Sequence, residues 1–428
     1  MDSFAGSAYA RVIVDELPSR PRGILPETLL MHLKPDTLAM TVMLAFMTAL
    51  GPLATDLYLP SLPLIGAALE AGPARVQWTL SAYLIGFSAG QIIYGPISDA
   101  LGRRPVLIAS FALFVAATLA CALAVSIDML IAARFVQALG GAGPIILART
   151  MVRDLYDGPR AGRELSVMGS IMGVTPIIAP IFGGFLQVAF GWRASFFAML
   201  AGGAILLLLA ILLIPETIRQ RQRGALSLRA ILRSYRTVAK NPAYRIYAAL
   251  LALSYGGLFA FISASPFVLQ GVYGLNEVKF GFAFAICSVS FVLGTLIGTR
   301  MVSRRGFDRT IGAGVFCLAT GGIGQLLGVL VLPQHLLALI MPEMIFFVGI
   351  GLVLPQAMAA AMSPFPERAG AASSLAGFVQ MVFASGAGAL VGLFVGGSAL
   401  PLVIATALSG LCALIVFAST KRLRRRDF

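Results

Sequence analysis

The sequence predicts an all-α polytopic membrane protein whose twelve transmembrane helices form two six-helix bundles, with the N and C termini in the cytoplasm. Three observations support this prediction: the composition, the recurrence of long apolar runs and the distribution of positive charge. Of 428 residues, 58% are hydrophobic and only 12% are charged, whereas a soluble globular chain carries about 25% charged residues. A single water-exposed core cannot bury so much apolar sequence, so lipid must be the solvent for much of the surface.

The apolar runs set the number of helices. Runs of about 18 to 25 residues recur along the chain, and each is long enough to cross a hydrocarbon core of about 30 Å. Residues 202–213 show none of the apolar–polar alternation that a membrane β-strand requires, which favours helices. The predicted spans are 37–59, 76–97, 105–126, 128–149, 164–189, 194–214, 244–271, 278–302, 309–331, 336–359, 369–393 and 396–418.

The positive charges orient these helices. All but four of the 32 Lys and Arg fall on one side; the exceptions are Arg75, Arg193 and Lys279 on the other side and Arg134 inside a span. Cytoplasmic loops accumulate Lys and Arg, so this side and both termini are expected in the cytoplasm. The net charge of +14 therefore indicates membrane orientation rather than nucleic-acid binding. The basic stretch 421–426 is expected to contact anionic lipid headgroups.

Five segments follow from this layout. They are a cytoplasmic N-terminal tail (1–36), a first bundle (37–214), a cytoplasmic linker (215–243), a second bundle (244–418) and a basic tail (419–428). Leu226, Ala230, Ile231 and Val238 can form one face of an amphipathic helix on the membrane surface. A plain tether and a regulatory helix are equally open for the linker. Two bundles of six helices are typical of transporters with a substrate site between the bundles, near the bilayer midplane.

Other classes of protein find little support. The four cysteines lie in apolar runs without the spacing of metal ligands and are predicted to be small buried hydrophobic residues. No metal site or bound cofactor is therefore expected. A membrane enzyme would need His, Asp or Ser nucleophile–base sets in loops at the membrane edge, and the sequence shows none. A passive channel would move its solute independently of a pH gradient, which separates it from a coupled transporter.

The turn between the second and third predicted spans carries the most informative short pattern. Gly95 and Pro96 are expected to loosen the helix end, and Asp99 and the pair Arg103 and Arg104 follow. Paired Arg residues can close a charge network across an interface, and breaking partly buried ion pairs is costly. The turn is thus a candidate cytoplasmic gate, although a turn that only fixes orientation is an equal alternative.

Several motifs in order resemble a known family. The stretch Gly95-Pro-Ile-Ser-Asp-Ala-Leu-Gly-Arg-Arg resembles the cytoplasmic signature of the major facilitator superfamily, with Ala100 in the usual basic position. Residues 134–142 are similar to its fourth-helix motif, and residues 176–184 are similar to the fifth-helix signature of drug:proton antiporters. Residues 55–60, 77–83, 153–156 and 265–268 together resemble the bicyclomycin/chloramphenicol-resistance (Bcr/CflA) exporters.

Charged residues in the spans are the candidates for proton coupling. Arg134 is the one Lys or Arg well inside a predicted span. A charge there costs several kcal/mol unless it faces a cavity or a partner, so Arg134 is a functional candidate by default; a structural Arg that hydrogen-bonds helix ends around the cavity is the alternative. The resemblance implies that Arg134 takes part in proton coupling and that Asp56 faces the cavity and exchanges protons. Asp56 lies about 28 Å from the inner boundary, so a solvated carboxylate at the rim is the alternative. Glu343 is either a second protonatable site or part of the outer vestibule, and Asp128 is expected to cap a helix.

The remaining candidates line the cavity, shape a helix or close the cytoplasmic side. Pro and Gly in the fifth span are expected to let it bend as a hinge and pack closely. The candidates are Thr55, Tyr58, Gln137, Phe259 and Phe378 for the substrate cavity, Pro176, Pro180, Gly183 and Gly184 for the hinge, and Asp99, Gly102, Arg103 and Arg104 for the gate.

The resemblance implies a monomeric exporter in the bacterial inner membrane. It would expel small amphipathic organic compounds, including antibiotics, in exchange for protons, with the proton gradient as its energy source and no bound cofactor. Its partners would be its substrate, protons and lipid. Export or import of an endogenous metabolite on the same fold is the alternative.

Overall fold

The computed structural model describes Leu33 and residues 37–218 and 228–424, and this part of the chain is helical and contains no strand. The first half of the chain forms α1 Leu38–Asp56, α2 Leu62–Ala68, α3 Pro73–Leu101, α4 Arg103–Ala122, α5 Ile127–Leu155, α6 Gly158–Phe190 and α7 Arg193–Leu213. The second half forms α8 Leu228–Ala239, α9 Pro242–Phe267, α10 Glu277–Val331, α11 Leu336–Met362, α12 Ala369–Phe394, α13 Leu400–Ser419 and α14 Lys421–Arg424. Ten of these described helical segments are long and apolar enough to cross a membrane.

Two of the twelve predicted spans share one continuous helix. Helix α10 has 55 residues, which corresponds to about 82 Å and exceeds a bilayer core. The backbone of Gly306 is non-helical and divides α10 into the predicted eighth and ninth spans. Helix α3 coincides with the second predicted span but is less apolar and is not among the ten. Each predicted span thus has its helix among the described residues, while a count of twelve crossings stays a prediction.

Each of two Arg-rich turns on the same end of the molecule is reduced to a single glycine. Gly102, with φ of 108°, separates α3 from α4, and Gly306, with φ of 75°, divides α10. Glycine adopts positive φ at no steric cost. The expectation that Gly95 and Pro96 loosen the helix end is wrong, because α3 continues through both to Leu101. The two turns occupy equivalent places in the two bundles.

The two bundles touch at one end of the molecule. We call the end that carries Arg103, Arg245, Arg304 and Arg424 the basic face, and the other end the opposite face. Near the opposite face, the hydroxyls of Ser81 in α3 and Ser385 in α12 each donate to the other's backbone carbonyl at 3.1 Å. Gln270 Nε2 donates to the Pro60 carbonyl at 3.0 Å. These bonds join the first bundle to the second.

Towards the basic face, α6 and α12 contain positions without close neighbours. Gly162 and Gly169 of α6 and Gly370 of α12 would each accept a Cβ without meeting another atom within 4 Å. Residues 169–178 of α6 are all exposed or half-buried. These parts of α6 and α12 therefore have free surface, whereas the hydrogen bonds described above join the bundles near the opposite face.

The linker and the C-terminal segment pack against the second bundle. Helix α8 lies where an amphipathic linker helix was predicted, and its buried Val238 belongs to the core; Leu226 and the side chains of Ala230 and Ile231 lie outside the described residues. Arg424 does not lie on lipid headgroups as expected. Its Nε donates to Asp308 at 2.7 Å and its side chain is buried.

Candidate proton-coupling and substrate site

Arg134 is a fully buried cation held mainly by aromatic rings. Its guanidinium carbon lies 4.3 Å from the ring centroids of both Tyr58 and Tyr83, an arrangement in which the ring faces attract the cation. Its Nη1 donates to the Ala54 carbonyl at 2.9 Å. Its Nε and Nη2 have no hydrogen-bond partner, and no carboxylate of the described residues forms an ion pair with it. The site thus contains a buried positive charge without a negative partner.

A short chain of amides and hydroxyls fixes Arg134 in place. Arg134 Nη1 donates to Gln137 Oε1 at 2.5 Å, and Gln137 Nε2 donates to Thr118 Oγ1 at 2.8 Å. Thr118 in turn donates to the Phe114 carbonyl at 2.6 Å. Because the glutamine amide both accepts and donates, its orientation is defined. The chain links α5 to α4 in the core of the first bundle.

Asp56 is the last residue of α1 and is only 4% exposed, so the alternative of a solvated carboxylate at the rim is wrong in this conformation. Thr55 donates to Asp56 Oδ1 at 3.0 Å. Asp56 also interacts electrostatically with the phenols of Tyr83 in α3 and Tyr255 in α9. Since α9 belongs to the second bundle, Asp56 lies within electrostatic reach of a residue of the other bundle. Asp56 and Arg134 are not paired, but Tyr83 neighbours both.

The remaining cavity candidates differ in position. Tyr58 is fully buried and its hydroxyl lies 3.1 Å from that of Thr79. Phe259 is also buried, with its ring against Gly388 of α12. Phe378 in α12 is half-buried. The structure therefore places Tyr58 beside Arg134 and places both phenylalanines in the second bundle.

The predicted gate residues form a network inside one bundle. Arg103 Nη1 lies 2.5 Å from Asp99 Oδ1, and Arg103 Nε lies 3.0 Å from Asp154 Oδ2. These residues belong to α3, α4 and α5, so the expected charge network across the interface is absent among the described residues in this conformation. Arg104 instead donates to the Ile211 carbonyl at 2.7 Å. Glu216 accepts from the backbone nitrogen of Arg103 at 2.9 Å and so caps α4.

Two of these partners were not assigned by sequence reasoning. Asp154 lies in the stretch 153–156 that resembles the exporters, and Glu216 lies in the predicted linker. Their contacts with Arg103 join segments that are far apart in the chain, so the pairing could not be read from the sequence.

The proposed hinge helix is not interrupted. Helix α6 runs unbroken from Gly158 to Phe190 and includes Pro176 and Pro180. Gly183 lies directly against the Leu57 carbonyl, and a Cβ at Gly184 would lie 2.6 Å from the carbonyl oxygen of Glu277 in α10. The close packing predicted for these glycines is confirmed, while bending stays a prediction.

Two further acidic residues are placed differently from expectation. Glu343 is fully buried, so the interpretation as an outer vestibule residue is wrong; its partner is Gln325, whose Nε2 donates at 2.7 Å. Asp128 does not cap α5, because Ser126 accepts the bond from Met129 nitrogen. Asp128 instead forms an ion pair with Arg75 at the opposite face. Among the described residues, no three or more His, Cys, Asp or Glu side chains gather where a metal ion could bind.

Comparison with known proteins decides the family. The sequence pattern of the Major Facilitator Superfamily matches residues 44–389, which include most of both bundles. The chain belongs to the major facilitator superfamily. It is therefore an integral membrane transporter, and the all-α fold with its two bundles is the fold of that superfamily.

Its superfamily relatives include named resistance proteins. The bicyclomycin resistance protein homolog of Haemophilus influenzae is 30% identical over 92% of this chain and 100% of its own length. Multidrug resistance protein D of Escherichia coli is 30% identical over 82% of this chain and 87% of its own length. The uncharacterized MFS-type transporter YdgK of Bacillus subtilis is 34% identical over 84% and 89%. The resemblance to bicyclomycin- and chloramphenicol-resistance exporters is confirmed.

Solved structures show the same fold. The D-xylose-proton symporter superimposes with a TM-score of 0.71 at 14% identity and covers 88% of this chain and 96% of the symporter. A bacterial homolog of the lysosomal transporter Spinster, in an inward-facing occupied conformation, has a TM-score of 0.67 at 17% identity, with 92% and 98% covered. At such identities the likeness concerns the fold alone.

Proposed function

We propose that this transporter expels small amphipathic organic compounds, including antibiotics, from a bacterial cell in exchange for protons that enter across the inner membrane. The protein acts as a monomer by alternating access. The names of its relatives support the class of compound. The observation that carries the proton coupling is the position of Asp56, a buried carboxyl group of the first bundle within electrostatic reach of Tyr255 in the second.

The orientation in the membrane defines the path of the compound. The positive-inside rule assigns the basic face to the cytoplasm. A compound in the cytoplasm, or in the inner leaflet, would enter between the bundles from this side. Rocking of the bundles would then break the contacts of Ser81 with Ser385 and of Gln270 with Pro60, and the opposite face would open.

Asp56 and Arg134 both interact electrostatically with Tyr83, so the charge of Asp56 can influence Arg134 through this residue. An ionised carboxylate is costly to bury without a partner, so a proton on Asp56 stabilises the buried position of this carboxyl group at the end of α1. Loss of this proton would leave a negative charge near a cation that lacks an acidic partner. Movement of Asp56 towards Arg134 would then become favourable, and the two bundles would rearrange. Proton movement is thereby linked to the conformational equilibrium.

Inverted membrane vesicles test this function. Radiolabelled chloramphenicol should accumulate in vesicles that contain the protein when respiration acidifies the lumen, and a protonophore should abolish the accumulation. Accumulation that is indifferent to the protonophore would contradict proton coupling. A protein that confers no resistance to any compound in a growth-inhibition panel, in a host without its own pumps, would instead be a transporter of an endogenous metabolite.

The Asp56→Asn variant tests the coupling site. The amide keeps the shape of the side chain and its bond with Thr55 but cannot exchange a proton, so driven chloramphenicol uptake should fall to the level of vesicles without the protein. Asp157→Asn removes an exposed carboxylate at the start of α6 and should leave uptake unchanged. Driven uptake at the wild-type level in Asp56→Asn would show that the proton is carried elsewhere.

A further inference from the structure

The second bundle contains a buried polar cluster that the function above does not use. Gln325 Nε2 in α10 donates to Glu343 Oε2 in α11 at 2.7 Å, and Thr406 in α13 donates to Gln325 Oε1 at 2.6 Å. All three side chains are fully buried. Glu343 Oε1 has no hydrogen-bond partner. The cluster therefore contains one acidic oxygen atom that is shielded from water and free.

This cluster mirrors the surroundings of Arg134. Arg134 lies about two turns into α5 and Glu343 about two turns into α11. These helices form the fourth predicted span of the first and of the second bundle. Each of the two side chains contacts a glutamine that in turn bonds to a threonine of another helix in the same bundle. The first bundle thus holds a buried cation without an ion-pair partner among the described residues, and the second holds a buried carboxyl group without one. A packing requirement alone would not need an ionisable group at either place, because an amide or an apolar side chain could fill it.

The groups around Glu343 leave it without a counter-charge. The thiol of Cys287, from the first half of α10, is the titratable group that interacts electrostatically with Glu343. No Lys, Arg or His of the described residues forms an ion pair with it. Gln325 cannot titrate, and its amide is oriented by Thr406 so that an N–H points at the carboxyl group. This N–H remains a donor whether the carboxyl group is neutral or ionised.

Close helix packing shields the cluster in this conformation. Cβ atoms at Gly321 and Gly322 of α10 would meet the backbone of α11 and α13 at 2.6 Å and 2.8 Å respectively. The three helices pack closely here, and Glu343 between them is fully buried. Exchange of a proton therefore requires α10, α11 and α13 to separate slightly, as they can when the second bundle changes conformation.

We propose that Glu343 is a second proton-binding site of the transporter, which holds a proton on its free Oε1 in this conformation and exchanges it with water in another. The proton adds to one carboxylate oxygen and leaves to water, and no other bond forms or breaks. Gln325 is a positioning residue that keeps Oε2 occupied in both states. The proposal rests on the proposed proton-coupled function and adds a proton carrier in the bundle that lacks Asp56 and Arg134.

The Glu343→Gln variant tests the site in reconstituted liposomes. The variant should keep the melting temperature and the chloramphenicol affinity of the wild type, because the amide fills the same space. The number of protons that enter per chloramphenicol expelled, measured with a trapped pH dye and radiolabel, should be lower than in the wild type. Glu277→Gln, which changes an acidic residue in the first turn of α10, should keep the wild-type ratio. An unchanged ratio in a folded Glu343→Gln protein would overturn the proposal.

A second measurement uses the unaltered protein and decides the question even if Glu343→Gln does not fold. Dicyclohexylcarbodiimide is an apolar reagent that reacts with protonated carboxyl groups. Under an imposed pH gradient Glu343 should become labelled, as detected by peptide mass spectrometry, and labelling should decrease when the pH on both sides is raised. Absence of label at Glu343 under a gradient would mean that the acid never becomes accessible, and the proposal would fail.

The two proposals fail in different ways. Wild-type protein that moves no protons with chloramphenicol would contradict the proposed function, whereas carbodiimide labelling at Glu343 would still be informative. If the wild type couples protons to chloramphenicol and Glu343→Gln keeps the wild-type number of protons per chloramphenicol, the proposed second site alone would be overturned.

Discussion

The guanidinium of Arg134 lies between two tyrosine rings and receives no help from a carboxylate. A planar, delocalised cation suits this slot, because it can stack on both faces while its edge donates to Ala54 and Gln137. A lysine ammonium is a compact, strongly hydrated charge. It cannot both fill the slot between the rings and place its nitrogen at the position from which Nη1 makes the two hydrogen bonds. The residue type, and not only the charge, is therefore required.

The Arg134→Lys variant should fold but function poorly. We expect its free energy of unfolding to fall by about 1–3 kcal/mol, since one ring contact and one hydrogen bond to a charged group are lost, and driven chloramphenicol uptake to fall to near background. Thermal unfolding in detergent and vesicle uptake measure the two effects. Arg75→Lys, in the exposed pair with Asp128, is the control and should change neither. Wild-type uptake by Arg134→Lys would show that charge alone suffices.

At this scale the sequence predicted the charged residues but not their surroundings. Arg134 stood out because charges are rare in membrane spans, and the resemblance to the exporters singled out Asp56. Tyr83 and Thr118 were not assigned roles, because their contacts with Arg134 and Gln137 depend on how α3 and α4 pack against α5. Gln325 and Thr406 were missed for the same reason, since uncharged polar residues are common in membrane helices.

Among the helices, α6 and α10 close the opposite face through glycine. A Cβ at Gly281 of α10 would lie 2.6 Å from the Pro180 carbonyl oxygen of α6, and Gly184 of α6 approaches Glu277 as closely. Small residues let membrane helices pack with their backbones in contact. These glycines therefore determine how completely the two bundles can close at this end.

The Gly281→Val variant should hold the opposite face open. Because the added side chain would overlap the backbone of α6, the equilibrium should shift towards an outward-open conformation and net transport should decrease. Spin labels placed on α6 and α10 near the opposite face should report a longer distance than in the wild type. Gly202→Val in α7, where a Cβ meets no atom within 4 Å, should keep the wild-type distance. An unchanged distance in Gly281→Val would mean that the backbone accommodates the side chain.

The sequence predicted correctly which segments form helices, but it predicted the ends of several helices less well. The sixth predicted span, 194–214, differs by one residue at each end from α7, because apolar sequence stops abruptly there. Helices α3, α6 and α10 extend beyond the second, fifth and eighth predicted spans, because they continue through polar residues at the basic face. Hydropathy marks where lipid surrounds a helix and not where its hydrogen bonds end.

Across the whole molecule, charge asymmetry assigns the basic face to the cytoplasm. The described helices bring Arg103, Arg245, Arg304 and Arg424 to this one end, and hydrogen bonds between the bundles lie near the other. Sidedness is thus a single property on which both orientation and direction of transport depend.

Cysteine accessibility tests the sidedness. In a variant without the four native cysteines, Gly162→Cys at the basic face should react with a membrane-impermeant maleimide in inverted vesicles only. Gly271→Cys at the opposite face should react in intact cells only. Both glycines are exposed and a Cβ meets no atom within 4 Å at either position, so each change should be tolerated. The reverse pattern of labelling would invert the topology.

The lipid solvent, the all-α fold class and the family follow from the sequence alone, because apolar length, charge and short motifs are local properties that each segment carries independently. The packing of the helices, in contrast, decides that Asp56 is buried, that the gate network lies inside one bundle and that Glu343 has an unpartnered oxygen. Burial and pairing depend on which distant helices become neighbours. The packing of the whole chain decides which helices are neighbours, and this cannot be read from any single segment.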